Sequence, residues 1–149
     1  MLSVQSDEYF MKQALLEAQK AALKGEIPVG AVVVSRGHII ARAHNQTEQL
    51  SDVTAHAEVL AITSASAYLG SKYLHDCTLY VTLEPCCMCA GALAWAQLSR
   101  LVYAAQDDKR GFMRYGLTML HPKTKTEFGV LHDECSRLMT DFFVGKRGR

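Results

Sequence analysis

The sequence contains no apolar run approaching the roughly 18 residues that cross a membrane, no internal repeat, and no tract rich in serine and glycine. Proline is scarce, with 3 residues in the chain. These absences argue against a membrane protein, a repeat protein and a flexible linker, and they leave no internal domain boundary. The 149 residues, 49% of them hydrophobic, therefore predict one domain over residues 1–149 with a single core.

The sequence also lacks the features of an exported, disulfide-bonded protein. The amino terminus, MLSVQSDEYF, carries acidic residues where a signal peptide would have a basic start and an apolar run, so we expect a cytoplasmic protein. The chain has 5 cysteines, an odd number, which favours reduced thiols over a disulfide framework. Cys86, Cys87 and Cys89 fall within four positions, and this cluster requires a chemical explanation.

The net charge of +1 points to no particular partner, but the charges are unevenly distributed. Residues 1–99 carry −3 and residues 100–149 carry +4. The basic tail, residues 144–149, contains Lys146, Arg147 and Arg149, which could contact nucleic-acid phosphates and add a salt-dependent term to binding. A frayed tail that only increases solubility explains the same residues.

Apolar periodicity and turn residues predict helices that alternate with strands. The predicted elements are a helix capped by Ser6 and ended by Gly25 and Pro28, a hairpin of Gly30–Ser35 and His38–Arg42, a helix capped by Asp52 or Thr54 and closed by Gly70, a strand over Cys77–Leu83, a helix from Cys86 to Gln97, a strand over Arg100–Ala104, and a last helix through Cys135–Phe143. We interpret residues 106–125 as a structured or functional loop. The strand–helix–strand order predicts parallel pairing beside the antiparallel hairpin, hence an α/β protein with a mixed sheet and helices on its faces.

The most specific motif is Pro85-Cys86-Cys87-Met88-Cys89. Cys86 and Cys89 lie three positions apart at a predicted helix start, so their sulfurs project from one face and can share a metal. The free N–H groups and positive dipole end of that helix stabilise thiolates, the form that binds metals. This spacing rarely occurs by chance; the alternative is a pair of small buried cysteines.

His56-Ala57-Glu58 is the second candidate source of a ligand, although this triplet is common by chance on its own. On a regular helix His56 and Glu58 would point about 200° apart. We therefore place His56 in the irregular first turn of its helix. Three protein ligands with a fourth position for water are typical of catalytic zinc, which lowers the pKa of its water. Glu58 could then transfer the proton; alternatively, it interacts only with the helix dipole.

Together, His56-Ala57-Glu58 and Pro85-Cys86-x-x-Cys89 resemble the signature of the zinc nucleobase and nucleoside deaminases. Within that family the chain is similar to the bacterial tRNA-specific adenosine deaminases over nearly its whole length, in segments that include Ile27-Pro28-Val29-Gly30-Ala31, Asn45 and Asp141-Phe142-Phe143. The resemblance implies a three-layer α/β/α cytidine deaminase-like fold with a central mixed five-stranded sheet. It also implies hydrolytic conversion of the wobble adenosine of a tRNA anticodon loop to inosine, by a homodimer with one Zn²⁺ per subunit, no organic cofactor and no membrane partner.

The resemblance also assigns roles to residues at matching positions. It implies zinc binding by His56, Cys86 and Cys89, proton transfer by Glu58, and substrate binding by Asn45, Ala57 and Asp107. A solvated loop acid is the alternative for Asp107. The basic tail, through Lys146, Arg147 and Arg149, would contact the RNA.

Three features depart from the family pattern. Cys87 stands where the family often has an apolar β-branched residue, and we interpret it as a small packed thiol. Residues 107–116 differ from the small-residue version of this segment. Trp95 resembles the related guanine deaminases, although a core or interface aromatic explains it as well.

Two other functions therefore stay open. One is a deaminase of a free base or nucleoside, such as guanine or cytosine; Trp95 is the only residue that favours guanine. The other is a non-enzymatic, zinc-stabilised RNA-binding module. Glu58 argues against the module, because a purely structural zinc site would be expected to use a fourth protein ligand.

Overall fold

The structure, a computed structural model, describes residues 6–147. Within these residues, four helices and five strands follow one another as α1 (Asp7–Leu23), β1 (Gly30–Ser35), β2 (His38–His44), α2 (Ala57–Leu69), β3 (Cys77–Leu83), α3 (Cys87–Trp95), β4 (Arg100–Ala105), β5 (Lys125–Phe128) and α4 (His132–Arg147). Two short 3-10 turns, Phe112–Arg114 and Leu117–Met119, lie between β4 and β5. No helix among residues 6–147 is both long enough and apolar enough to cross a membrane.

The five strands form one mixed sheet in the order β2-β1-β3-β4-β5. β1 pairs antiparallel with both β2 and β3, whereas β3, β4 and β5 are parallel. The predicted hairpin and the predicted parallel pairing across α3 are both confirmed. Because β3 and β4 are parallel, their carboxyl ends, Leu83 and Ala105, lie side by side at one edge of the sheet.

Alternate residues of the central strands face opposite layers of helices. Ala31 and Val33 of β1 belong to a buried cluster with residues of α2 and α3, while Val32 and Val34 belong to one with residues of α1 and α4. This period of two is what a sheet covered on both faces requires. The protein therefore has the predicted three-layer α/β/α architecture with a central five-stranded sheet.

The helix α1 lies directly against β1, and Gly30 permits this contact. A Cβ atom at Gly30 would lie 2.1 Å from the carbonyl oxygen of Ala14 and 2.4 Å from the backbone nitrogen of Ala18. At the start of α1, the Ser6 side chain accepts a hydrogen bond from the N–H of Tyr9, as predicted for a cap. The sequence therefore specifies both where this helix begins and how closely it packs.

Two predicted helix boundaries are wrong. The helix α2 begins at Ala57 with His56 as its N-cap, not at Asp52 or Thr54. Asp52 instead accepts hydrogen bonds from the N–H and hydroxyl of Thr54, which closes a local turn. The helix α3 runs from Cys87 to Trp95, shorter than predicted, and Cys86 is its N-cap.

The sequence prediction also missed the strand β5, part of which falls at the end of the region interpreted as a loop. This strand has four residues, most of them exposed, at the edge of the sheet. A short edge strand shows no alternation of apolar and polar residues, because neither of its faces is fully buried.

Candidate metal centre and active site

Two helix N-termini meet beside the carboxyl end of β3. His56 precedes α2 in an extended conformation (φ −76°, ψ 152°), and Cys86 precedes α3 in a similar one (φ −73°, ψ 173°). Because His56 is not yet helical, its side chain does not follow the 100° rotation per residue of α2. The structure therefore has the irregular helix start that we predicted for His56.

His56, Cys86 and Cys89 form a compact cluster. The Nδ1 atom of His56 lies 3.7 Å from the Sγ of Cys86 and 3.5 Å from the Sγ of Cys89. All three ligand atoms lie within 4.8 Å of one another. A tetrahedral zinc ion with ordinary bond lengths separates a nitrogen and a sulfur ligand by about 3.6 Å. The cluster therefore matches the geometry and the donor set of a three-ligand zinc site.

The electrostatics of the cluster favour a thiolate at Cys86. A hydrogen bond from Cys89 and a second interaction with His56 lower the pKa of Cys86 to about 3, against the opposing effect of its burial. The thiolate in turn raises the pKa of His56. Thiolate is the form of cysteine that coordinates metals.

Glu58 lies in the first turn of α2, next to the cluster, and only 4% of its surface is exposed. Burial raises the pKa of Glu58 to about 7, although His56 and the Cys89 thiol favour its ionised form. Its carboxyl group is not among the three grouped metal-ligand candidates. The arrangement thus places a buried carboxyl group with a raised pKa beside the three candidate metal ligands, without grouping it among them.

Asn45 follows β2, and its side chain is hydrogen-bonded to the start of α2. Its Oδ1 atom accepts a hydrogen bond of 2.8 Å from the N–H of Ala57, and both residues are buried. The Ala57 N–H is one of the donors that a helix start leaves without a partner in the helix. This bond occupies the side-chain oxygen of Asn45 and orients its amide.

Asp107 lies in the loop that follows β4. Its Oδ1 atom accepts hydrogen bonds of 3.1 Å from the N–H groups of Lys109 and Arg110, so the side chain stabilises its own loop. Asp108, Lys109 and Arg110 are exposed around it.

The basic tail begins against the end of α1. The Nζ of Lys146 lies 3.4 Å from the carbonyl oxygen of Gly25 and 5.1 Å from the centre of the Phe142 ring. Arg147 ends α4, and Arg149 lies outside the described residues. The tail therefore starts beside the segment that leads into Glu26.

Sequence reasoning did not identify Glu26 as a functional residue. Its carboxylate is buried and accepts hydrogen bonds from the N–H groups of Glu48 (3.1 Å) and Gln49 (2.7 Å). It thereby fixes the loop that follows Asn45. The sequence signal that could have identified Glu26 is its position as a single acidic residue next to the apolar segment Ile27-Pro28-Val29.

The interpretation of Cys87 is wrong: Cys87 is exposed, so it is not a packed thiol. Trp95 is 85% exposed, which excludes a core position and leaves the interface and the guanine deaminase resemblance as its two interpretations. The helix α3 is about 13 Å long, and Trp95 ends it while Cys86 precedes it. Trp95 is therefore at the far end of α3 from the cluster of His56, Cys86 and Cys89.

Comparison with known proteins relates this site to established ones. Residues 4–105 match the family described as the cytidine and deoxycytidylate deaminase zinc-binding region. The tRNA-specific adenosine deaminase of Aquifex aeolicus is 47% identical over 141 residues, which cover 91% of this chain and 93% of that protein.

Two solved structures share the fold. One, from a study of A-to-I editing by tRNA:A34 deaminases at the wobble position of transfer RNA, has a TM-score of 0.82 and 42% identity, and the match covers 87% of this chain and 98% of that one. The guanine deaminase of Nitrosomonas europaea has a TM-score of 0.80 and 26% identity, covering 95% of this chain and 86% of that one. The fold is common to deaminases of different substrates, and a guanine deaminase from Bacillus subtilis is 44% identical over 68% of this chain. The relatives from Aquifex aeolicus and Agrobacterium fabrum, which match more than nine-tenths of both chains, are named tRNA-specific adenosine deaminase. With its His-Cys-Cys cluster and adjacent buried glutamate, this chain belongs to the cytidine and deoxycytidylate deaminase zinc-binding family.

Proposed function

We propose that this protein converts adenosine to inosine at the wobble position of a tRNA anticodon loop. The observation that carries the proposed chemistry is the geometry of His56, Cys86 and Cys89, which fits a catalytic zinc ion, with Glu58 buried beside it. The choice of substrate is supported by relatives named tRNA-specific adenosine deaminase, which match this chain over more than nine-tenths of its length. A tRNA substrate also agrees with the expected cytoplasmic location.

His56, Cys86 and Cys89 would hold one Zn²⁺ per subunit. Zinc bound there would lower the pKa of a coordinated water so that it can act as a nucleophile near neutral pH. The reaction forms a C6–O bond and breaks the C6–N6 bond, which consumes water and releases ammonia. Glu58 would transfer one proton of the water to the ring nitrogen N1, and the second proton, from the new hydroxyl group on C6, to the amino group, which then leaves as ammonia.

Asn45 and the loop residues would position the nucleoside. Because the Oδ1 atom of Asn45 is held by the Ala57 N–H, its Nδ2 group is left as a donor for the extruded base. Ala57, whose side chain is fully buried, would act in substrate binding through this hydrogen bond, by holding Asn45 in place. Asp107 would lie near the nucleotides that flank the target, and the cations of the basic tail would contact phosphates.

The proposed function is tested by incubating the purified protein with three substrates and identifying the products. They are an anticodon stem-loop with adenosine at the wobble position, free guanine and cytidine. We expect inosine from the stem-loop, and no xanthine or uridine. A stem-loop with its adenosine moved by one nucleotide controls for the wobble position. Xanthine or uridine alone would identify a small-molecule deaminase, and a zinc-loaded protein without any product would indicate a binding module.

We further propose that the protein is a homodimer in which α3 lies at the interface. Met88 and Trp95 lie seven residues apart, on one face of α3, and both are exposed. An exposed tryptophan beside other apolar groups is typical of a protein–protein interface. The Trp95→Glu variant should sediment as a monomer. Leu23→Glu, at an equally exposed apolar residue of α1 (88% exposed), should stay dimeric. A Trp95→Glu variant that is still dimeric would exclude this face of α3 as the dimer interface.

A further inference from the structure

Glu84 is a buried carboxylate that the chemistry described above does not use. It follows β3 and precedes Pro85 and Cys86, and only 5% of its surface is exposed. Its Oε1 atom accepts a hydrogen bond of 3.0 Å from the N–H of Asp107, and its Oε2 atom accepts one of 3.0 Å from the N–H of Met113. Each carboxylate oxygen therefore binds one end of the loop that follows β4.

The loop is shaped around this carboxylate. A Cβ atom at Gly111 would lie 2.0 Å from the Oε2 of Glu84 and 2.5 Å from the carbonyl oxygen of Asp107. Only glycine allows the backbone to approach the carboxylate so closely. The ion pairs found in residues 6–147 do not include Glu84, and its two side-chain oxygens are bound instead by backbone N–H groups.

The same loop is attached directly to the metal-ligand segment. The N–H of Phe112 donates a hydrogen bond of 2.9 Å to the carbonyl oxygen of Pro85, and Gly111 forms an antiparallel bridge with Cys86. Phe112 is fully buried, with its ring 5.9 Å from that of Tyr103. The loop is therefore held at a fixed position relative to Cys86.

We propose that Glu84 is a positioning residue that orders residues 107–113 for recognition of the nucleotides next to the target adenosine. This inference rests on the proposed function. A loop that is ordered before binding loses little conformational freedom when the RNA arrives, so its contacts contribute more to affinity. Loosening the loop should weaken RNA binding while the proton transfer by Glu58 continues.

The first variant is Glu84→Gln, which keeps the shape of the side chain but replaces one acceptor oxygen with an amide group that cannot accept a hydrogen bond. The KM for the anticodon stem-loop should rise about 10-fold, and kcat should change by less than about 3-fold. Zinc content should equal that of the unsubstituted protein. The discrimination between stem-loops with different nucleotides beside the adenosine should also weaken.

The matched control is Glu17→Gln. Glu17 is equally buried, but it lies on α1 and contacts the side chains of Lys20 and His44. This control should show the stability cost of altering a buried carboxylate without a change in KM or in discrimination between flanking nucleotides.

A second variant, Gly111→Ala, disturbs the same contact from the loop side and should raise KM in the same way. Hydrogen exchange provides a readout that does not depend on activity. The amides of Asp107 and Met113 should exchange faster in Glu84→Gln, but not in Glu17→Gln.

Loss of zinc in Glu84→Gln would overturn the proposal, because Glu84 would then support the metal ligands instead of the loop. Faster amide exchange with unchanged KM and discrimination would also overturn it, because the loop would then not contribute to RNA recognition. If the unsubstituted protein does not deaminate the stem-loop, the proposed function fails. Unchanged amide exchange in Glu84→Gln, by contrast, would refute only the proposal that Glu84 anchors the loop, and not the proposed function.

Discussion

Substitutions of Asn45, which is hydrogen-bonded to Ala57, should separate the contribution of this residue to stability from its contribution to catalysis. The Ala57 N–H is buried and has no partner within α2, so the Oδ1 atom of Asn45 is its acceptor. Asn45→Ala removes that acceptor and leaves the N–H unsatisfied. A buried donor without a partner costs about 1–3 kcal/mol. For a domain of this size, this loss lowers the melting temperature by roughly 2–12 °C.

Asn45→Asp makes a narrower change. A carboxylate oxygen can accept the same hydrogen bond from Ala57, and a negative charge at a helix N-terminus is favourable. This variant should therefore regain most of the stability that Asn45→Ala loses. It has no Nδ2 group, however, and so cannot donate to the base. We expect kcat/KM to fall by about 10-fold or more in both variants.

The assay combines thermal unfolding with kinetics on the anticodon stem-loop. All proteins are compared at saturating zinc, because a bound metal stabilises the native state and would otherwise mask the difference. An Asn45→Asp variant with full activity would refute the donor role of Nδ2. An Asn45→Ala variant as stable as the unsubstituted protein would show that the bond to Ala57 does not stabilise the fold.

Three further predictions concern other parts of the molecule. Glu58→Ala should abolish turnover yet retain zinc, whereas Cys86→Ala should lose both turnover and zinc. Zinc analysis of the purified variants distinguishes these two roles. Metal loss in Glu58→Ala would show that Glu58 is a ligand. Removal of residues 146–149 should weaken tRNA binding and reduce its salt dependence without changing zinc content, and equal affinities across a salt series would exclude a role for the tail. Hydrogen bonds from Arg100 hold the pKa of Asp7 below its usual value of 3.8, so the stability this pair provides is complete above that pH and is lost as the pH falls through the lowered pKa. Asp7→Asn should therefore be less stable at neutral pH and lose less stability on acidification to pH 2, as measured by urea unfolding; parallel pH profiles would contradict this assignment.

The elements with a local signal were predictable from the sequence. The helix α1 carries its cap and its apolar spacing within one segment, and β1 and β2 are joined by the turn at Arg36 and Gly37. The start of α2 was not predictable in this way. Its first N–H is capped by Asn45, twelve residues earlier in the chain, so rules that examine only neighbouring residues selected Asp52 and Thr54.

In the candidate site, too, some features were predictable from the sequence and others were not. The sequence alone identified the candidate metal ligands and the candidate proton-transfer residue, because Cys86 and Cys89 share a helix start, and because His56 and Glu58 are two residues apart. It also indicated the family, since those short motifs require particular residue types at fixed spacings.

Only the tertiary structure decided how these parts meet. Folding brings His56 to within 3.7 Å of Cys86, thirty residues further along the chain. It also gives the buried carboxylates of Glu26 and Glu84 their backbone N–H partners, on the two loops that follow Asn45 and β4. A buried polar group binds whichever complementary group lies near it in space, and that proximity is set by the sheet order and not by separation along the chain.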